Sequence, residues 1–348
     1  MTSASSAWNV WGNATAVRAL ADGVAANRIS HAYILAGPEG VGKTTLALAM
    51  AKALLCAESP EPGESCGGAC RVCRKIERGV HPDVQTWSLA GQVAATSGKQ
   101  ATKNTTLTIE TMRSMISTAA LRPMEGRWRV AIVDDAELLQ ESAQEALLKT
   151  LEEPPPFTVI MLLTDDLDAL LWTIRSRGQL VEMRPVPANE ITAGLASRDV
   201  PDERARTLAA LSNGAPGWAI QAAADQRLEA ERIEAIDRAI DWIDADSHQR
   251  IVTAIRMGDG FSKDRARVFG ELALVTGVWR DALLIAAGQT RFAHFQNRLT
   301  QLQSLAERAS LATAHAALAS VRACIRDLES NVRPRLAIEH MVLQWPTH

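Results

Sequence analysis

Residues 37–45 read Gly-Pro-Glu-Gly-Val-Gly-Lys-Thr-Thr, and this stretch decides the fold of the chain. It matches the phosphate-loop pattern G-x-x-x-x-G-K-[ST], in which glycines let the backbone curl so that N–H groups point at phosphate oxygens. We expect Lys43 to reach the outer phosphates and the Thr44 hydroxyl to hold Mg²⁺. The alternative is a glycine-rich turn that matches the pattern by chance.

The segments on either side of the loop favour the phosphate-binding interpretation. Residues 31–36 form a short apolar run typical of a buried strand, and residues 45–55 have the pattern of a helix whose N-terminus would face the phosphates. A nucleotide with its Mg²⁺ is the expected ligand. The candidate nucleotide-binding residues of the loop are Gly37, Gly40, Gly42, Lys43, Thr44 and Thr45.

A second segment supports the same site. Residues 129–133 read as a short buried strand, and the carboxylates of Asp134, Asp135 and Glu137 follow it closely. Asp134 then has the place of the Walker-B aspartate, which holds the Mg²⁺ of a phosphate-loop nucleotide. Combined with the phosphate loop, this strand predicts a complete site for a nucleotide and its metal ion.

Four of the five cysteines lie close together in sequence, at Cys56, Cys66, Cys70 and Cys73. Four thiolates at these spacings predict a tetrahedral Zn²⁺ site. Such a site is structural, because four protein ligands leave no position for a substrate. The alternative is a set of free cysteines in a loop.

The composition is that of an ordinary globular protein. The chain has 348 residues, of which 47% are hydrophobic and 22% charged, with a formal net charge of −3. This charge argues against a basic nucleic-acid-binding protein that acts alone. No apolar run approaches a membrane span, and the opening residues lack the pattern of a secretory leader, so a cytoplasmic protein is expected.

The order of the patterns predicts the domain organisation. Strand and helix patterns alternate up to about residue 184, which indicates an α/β domain with a mainly parallel sheet. Within it, residues 90–106 are small and polar and are expected to form a surface loop. Residues 185–226 indicate small helices. From residue 227 only helical periodicity remains, with apolar stripes that we interpret as core packing.

The chain resembles the AAA+ ATPase subunits of the bacterial replicative clamp loader. The resemblance rests on the phosphate loop, the four cysteines, His81-Pro82-Asp83, the segment from Leu147 to Pro155, and Ser176-Arg177. It implies an AAA+ domain at 1–184 with a zinc insert at 56–73, a helical lid at 185–226 and an all-α collar at 227–348. It also implies Zn²⁺ and Mg²⁺-ATP as cofactors, and a pentameric ring of loader subunits that places the sliding clamp on primed DNA.

Within that family, the chain looks like the stator subunit of the ring. The motor subunit usually has Asp-Glu after its Walker-B strand, whereas Asp134 is followed here by Asp135. The lid stretch from Gly214 to Ala219 also lacks the arginine with which a motor subunit senses nucleotide. Nucleotide binding with weak or absent hydrolysis is therefore expected.

The resemblance also implies roles for residues outside the phosphate loop. Arg177 would be an arginine finger for the ATP site of a neighbouring subunit, although Gly178 stands where the family usually has Cys. Thr164, at the end of a predicted strand, would face the chain's own nucleotide as a polar sensor. Lys149 would face the neighbour.

Three other functions compete with the stator interpretation. One is the ATP-hydrolysing motor subunit of the same loader, and another is a scaffold subunit that binds no nucleotide. The third is a metabolic phosphate-loop kinase, which would need a substrate pocket with an acid–base group. The helical C-terminal third offers no candidate for that group.

Overall fold

The computed structural model describes residues 8–59, 61–95, 106–295, 298–329 and 332–346. The chain forms two compact units. The first comprises residues 1–202 and 214–220, and the second comprises residues 203–213 and 221–348.

The first unit is built on a five-stranded sheet in which every pairing is parallel, as the sequence predicts. The strand order is β2-β3-β4-β1-β5. All residues of β1, β3 and β4 are buried, which explains why these segments read as continuous apolar runs. The strands are β1 Ala32–Ala36, β2 Val84–Trp87, β3 Arg129–Val133, β4 Thr158–Thr164 and β5 Gln179–Glu182.

The register of the sheet brings the predicted nucleotide-binding segments to one edge. Ala36, the last residue of β1, pairs with Thr164, the last residue of β4. Val133 at the end of β3 pairs with Leu162 of β4. The phosphate loop and Asp134 therefore leave the sheet at the same edge, because parallel strands end on the same side.

Helices cover the sheet of the first unit. Two of them, Ile109–Ala119 and Glu141–Glu152, bury Met112, Met115 and Leu147 in one core with residues of β1, β3 and β4. Proline residues follow the second of these helices and end it. The helices of this unit are Ala14–Ala25, Lys43–Leu55, Arg71–Glu77, Leu89–Ala95, Ile109–Ala119, Glu141–Glu152, Trp172–Arg175 and Ala188–Ala196.

The predicted surface loop at 90–106 is wrong in its first part, because Leu89–Ala95 is helical. The Asp135 carboxylate accepts a hydrogen bond from the Leu89 N–H at 3.2 Å, and the Ser88 hydroxyl accepts one from the Gly91 N–H at 3.1 Å. These acceptors satisfy donors at the helix start. Residues 96–105 lie outside the described part of the chain.

The start of β2 is anchored by a buried carboxylate. Asp83, with no exposed surface, accepts the N–H groups of Met124, Glu125 and Gly126 at 2.6, 2.7 and 2.9 Å. The guanidinium of Arg129, the first residue of β3, lies 3.4 Å from the same side chain. Burial alone would raise the pKa of Asp83, but these hydrogen bonds and the arginine lower it. Asp83 thus ties the loop before β3 to the start of β2.

The second unit is helical. The predicted apolar stripes lie mainly in the core: Val268, Leu272, Val275 and Trp279 are buried, as are Leu318, Val321 and Leu328. The two other predicted stripe residues, Leu283 and Ile325, are half-buried. Cys324 is also buried, and burial raises the pKa of its thiol to about 12, as expected of a core residue.

Among the described residues, eight helices follow β5 and the helix Ala188–Ala196, and the first two have residues in both units. Within the described residues, no helix combines the length and the apolarity needed to cross a bilayer. These helices are Asp202–Leu211, Pro216–Ala224, Gln226–Asp244, Ser247–Gly260, Arg265–Ala286, Leu299–Arg308, Leu311–Glu329 and Pro334–Leu343.

Candidate nucleotide site and cysteine cluster

The phosphate loop has the backbone conformation that its glycines allow. Gly40 and Gly42 have φ angles of +72° and +108°, in the region that favours glycine. Gly42 caps the helix Lys43–Leu55, so the N-terminus of that helix opens onto the loop. At Gly37 any side chain is excluded, since a Cβ would lie 2.3 Å from the carbonyl oxygen of Met183.

Lys43 is held inside the loop. Its side chain is 8% exposed, and its ammonium group donates hydrogen bonds to the carbonyl oxygens of Gly37 at 2.7 Å and Pro38 at 3.2 Å. It also forms an ion pair with Asp165, the residue after β4. The cationic group that would bind phosphate is therefore fixed at the carboxyl edge of the sheet.

Thr44 and Asp134 lie together as the sequence predicts. The Thr44 hydroxyl donates a hydrogen bond to the Asp134 carboxylate at 3.2 Å. Burial raises the pKa of Asp134, and the nearby charge of Asp135 raises it further. A hydroxyl and a carboxylate in this position are suitable ligands for Mg²⁺, whose charge would favour the ionised aspartate. Thr45, the next residue, is exposed.

Two other carboxylates near this edge have different positions. Asp135, with φ of 59°, directs its carboxylate to the Leu89 N–H. Glu137 instead accepts the N–H of Asp165 at 3.2 Å, beside the buried Thr164. Burial is the main cause of the raised pKa of Glu137. The sequence patterns did not identify Asp165 as part of this group.

Thr164 lies at the carboxyl end of β4 between the phosphate loop and these acids. Its backbone oxygen accepts the N–H of Gly37 at 3.1 Å, and its hydroxyl donates to the carbonyl oxygen of Asp166 at 2.7 Å. The side chain of Thr164 is thus positioned at the same edge as Lys43.

Residues 214–220 belong to the first unit and contact the phosphate loop. The N–H of Gly217 donates to the carbonyl oxygen of Gly40 at 2.9 Å. A Cβ on Gly40 would lie 3.1 Å from the Cβ of Ala215. This contact joins the loop to part of the predicted lid.

Arg177 follows the short helix Trp172–Arg175 and is half-buried. Its guanidinium donates to the Glu152 carboxylate at 2.7 Å and to the Thr173 carbonyl at 2.8 Å. Lys149 lies on the same helix as Glu152 and is exposed. Among the described residues, no hydrogen-bond partner of Arg177 belongs to the phosphate loop.

Gly178 is closely packed at the end of this segment. A Cβ there would lie 2.7 Å from Cγ1 of Ile34, which is buried in β1. A cysteine at this position would require Ile34 to shift, so the glycine fits the local packing.

The four predicted cysteines form one cluster, with all four sulfur atoms within 4.8 Å of one another. The sulfurs of Cys56 and Cys70 are 3.9 Å apart, and those of Cys66 and Cys73 are 3.6 Å apart. Tetrahedral Zn²⁺ with bonds of about 2.3 Å requires sulfurs roughly 3.8 Å apart. The cluster can therefore hold a metal ion of this size.

Backbone N–H groups also point at the sulfurs. The N–H of Cys70 donates to Cys66 Sγ at 3.2 Å, and that of Cys73 donates to Cys70 Sγ at 3.3 Å. Burial would raise the pKa of Cys66, but the hydrogen bonds from Cys70 and the neighbouring thiols lower it to about 6. By contrast, burial raises the pKa of Cys56 and of Cys73.

Two family models match the chain. The model described as DNA polymerase III, delta subunit, matches residues 12–187, and the model of the C-terminal part of that subunit matches residues 249–347. The chain belongs to this family. The organisation inferred from the sequence, an α/β phosphate-loop unit followed by helices, is confirmed by the sheet and the helical second unit.

Similar proteins distinguish the type of subunit. The chain is 28% identical to the DNA polymerase III subunit delta′ of Bacillus subtilis, over 94% of both chains. It is 35% identical to the subunit gamma of Buchnera aphidicola, but over 46% of this chain and 40% of that protein. The match over nearly the whole length confirms that the chain is of the delta′ type, the subunit expected from the sequence. The gamma-type motor subunit is not favoured, because its match is partial.

A solved structure also resembles the chain. A DNA polymerase III gamma subunit-related protein from Thermotoga maritima covers 94% of this chain and 97% of its own, with 17% sequence identity and a TM-score of 0.44.

Proposed function

We propose that this delta′-type chain works in the DNA polymerase III clamp loader, where it binds Mg²⁺-ATP but hydrolyses it slowly or not at all. One observation carries the proposal. It is supported by Lys43 in the phosphate loop and by the contact of Thr44 with Asp134, whereas the Asp135 carboxylate accepts the Leu89 N–H. To orient an attacking water, Asp135 would have to share or give up this hydrogen bond.

Different residues of the site would bind the phosphates and the Mg²⁺ ion. Lys43 and the N–H groups of the glycine loop would hold the outer phosphates, and Thr44 with Asp134 would hold Mg²⁺. Thr164 would contact the nucleotide from the end of β4. Bound Mg²⁺ would supply charge neutralisation between the phosphates.

Arg177 would act outside the chain's own site. Its partners among the described residues are Glu152, Thr173 and Ser176, so its position supports a role toward a neighbouring subunit. A planar cation beside a γ-phosphate stabilises the charge of the transition state. The proposed partners are the other loader subunits in a pentameric ring, the sliding clamp and primed DNA.

Reconstitution tests the proposal directly. The chain would be mixed with the gamma and delta subunits and the clamp of its own organism, and clamp- and DNA-stimulated ATPase and clamp loading would be measured with and without it. We expect loading to require the chain, while the chain alone has little ATPase activity. Normal loading without the chain, or motor-like turnover by the chain alone, would contradict the proposal.

Lys43→Ala is expected to weaken binding of a fluorescent ATP analogue by about ten- to a hundredfold, the loss of one charge-assisted contact. The measurement is a fluorescence titration with Mg²⁺. Lys52→Ala is the matched control, because Lys52 lies on the same helix and pairs with Glu77 at 2.7 Å on the surface. Equal affinity of the wild type and Lys43→Ala would show that the loop does not bind nucleotide.

We also propose that the cysteine cluster holds one structural Zn²⁺ ion. The short distances between the sulfurs and the N–H groups that point at them support thiolate ligands. The cluster would stabilise the segment between the helices Lys43–Leu55 and Arg71–Glu77 without entering the chemistry of the nucleotide.

Cys70→Ser is expected to remove most of the zinc and to expose residues 56–73 to proteolysis, since a structural zinc site contributes folding free energy directly. Elemental analysis of protein purified without chelator measures the metal. Cys324→Ala, at the buried cysteine of the second unit, should keep a full complement of zinc. Wild-type protein without zinc would refute the site.

A further inference from the structure

The second unit has a groove between the helices Arg265–Ala286 and Leu311–Glu329 that the nucleotide site does not use. Its volume is about 390 Å³. The first helix contributes Arg280, Leu283 and Leu284, and the second contributes Leu318, Arg322 and Arg326. We refer to these six residues as the basic groove.

The cations of the basic groove have no acidic partner among the described residues. Arg322 and Arg326 are exposed and lie one turn apart on one helix, an arrangement of like charges that destabilises an isolated helix. His315 lines the same groove about three turns from Arg326, roughly 16 Å along the helix. Arg280 contacts the ring of His294 and no carboxylate directly.

Two acids on these helices, Asp281 and Glu271, contact groups other than the groove arginines. The buried Asp281 accepts the N–H groups of His294 and Phe295 at 2.7 and 2.8 Å. Glu271 lies 3.5 Å from Arg267, outside the groove. Asp327 follows Arg326 in sequence but forms no ion pair among the described residues. The three arginines of the groove therefore form no ion pair with a carboxylate among the described residues, and their charges outnumber that of Asp327.

The floor of the groove is apolar. Leu318 is buried and exposes almost none of its surface. Leu283 and Leu284 are half-buried, so part of each side chain is accessible between the arginines. A groove with an apolar floor and a positively charged rim is complementary to an amphipathic helix. Such a helix would place its aliphatic side chains on the floor and its acidic side chains beside the rim.

We propose that the basic groove docks an acidic amphipathic segment of a partner protein. Aliphatic side chains of the partner would contact Leu283, Leu284 and Leu318, and its carboxylates would pair with Arg280, Arg322 and Arg326. Bidentate arginine–carboxylate pairs add geometric specificity to such a contact. The proposal concerns the second unit alone and does not depend on nucleotide binding.

The same residues argue against a nucleic acid as the occupant. Single-stranded nucleic acids bind along a basic channel on a series of aromatic side chains. The described lining of this groove has three leucines and a single ring, that of His315, which gives no series of stacking platforms. A duplex presents phosphates to a broad basic surface and does not fill an apolar floor.

The test uses the full chain and a fluorescent peptide of about twelve residues, with leucines at helical spacing on one face and glutamates beside them. Fluorescence anisotropy should show saturable binding. A peptide with the same composition but scrambled leucine positions should bind at least about tenfold more weakly, because its apolar face is lost. Single-stranded and duplex DNA are measured in parallel.

The double variant Arg322→Glu/Arg326→Glu should lose at least about tenfold in affinity for the peptide, since two favourable charge pairs become repulsive. The control is Arg238→Glu/Arg267→Glu, which makes the same change in net charge at exposed arginines elsewhere in this unit. Circular dichroism verifies that both variants fold. Three results would each overturn the proposal: no peptide binding, equal binding of the scrambled peptide, or stronger binding of DNA that the groove variant abolishes.

Discussion

Arg177→Ala is expected to leave the chain folded and able to bind nucleotide, and to slow clamp loading and ATPase activity in the assembled loader. An arginine finger is worth roughly 10³–10⁵ in rate in phosphate-loop enzymes. In the proposed ring the effect on the whole loader is expected to be smaller, because other subunits would contribute fingers to other sites. The loss should therefore be confined to the ATP site next to this chain.

The surroundings of Arg177 make the experiment specific. Its ion pair with Glu152 is partly exposed, so losing it changes stability by no more than about 1 kcal/mol. Arg175→Ala is the matched control, because Arg175 lies two residues away and pairs with the exposed Asp168 at 2.7 Å. Rates are measured on rings in which a binding assay has verified assembly. Normal loading by assembled Arg177→Ala rings would exclude the finger.

The ion pair with Glu152 also restricts how Arg177 can reach a phosphate. Because Glu152 holds the Arg177 guanidinium at 2.7 Å, the arginine must leave or share this partner to reach a phosphate. The pair therefore orients the side chain at the end of the helix Glu141–Glu152 without burying it.

The fold of the first unit could be predicted because its central strands β1, β3 and β4 are buried on both faces. Such strands read as uninterrupted apolar runs, and residues 129–133 and 158–163 could be identified without the structure. The helix Leu89–Ala95 could not be identified from local sequence. Its first N–H is satisfied by Asp135, which lies 46 positions away. Local composition carries no information on such a partner.

The nucleotide site was also only partly predictable from the sequence. Thr44 and Asp134 could be placed together because each follows a strand with a known role in phosphate-loop proteins. The ion pair between Lys43 and Asp165 joins residues 122 positions apart and depends on the pairing of β1 with β4. Lys43 and Asp165 are neighbours because of the strand order of the folded sheet. The hydrophobic periodicity of the sequence contains no information on that order.

Asp83→Ala is expected to destabilise the first unit by about 3–5 kcal/mol, which is the usual effect of removing one partner from a buried ion pair. The variant leaves the guanidinium of Arg129 and the N–H groups of Met124, Glu125 and Gly126 without their acceptor. Because β2 pairs with β3, the loss should appear first as faster hydrogen exchange of residues 84–87 and 129–133. Asp168→Ala, at an exposed carboxylate, should change the exchange of these strands by little.

The effect of Asp83 on the stability of the first unit is expected to depend on pH. The pKa of Asp83 is lowered in the folded chain, so its stabilising effect is complete above the ordinary aspartate pKa of about 3.9 and is lost as the pH falls through the folded value. In Asp83→Asn the protection of β2 and β3 should therefore depend less on pH across that acidic range than in the wild type. The measurement is hydrogen exchange at matched intrinsic rates from neutral to acidic pH. An unchanged acid dependence in Asp83→Asn would show that other carboxylates, and not this buried one, control the acid stability of the sheet.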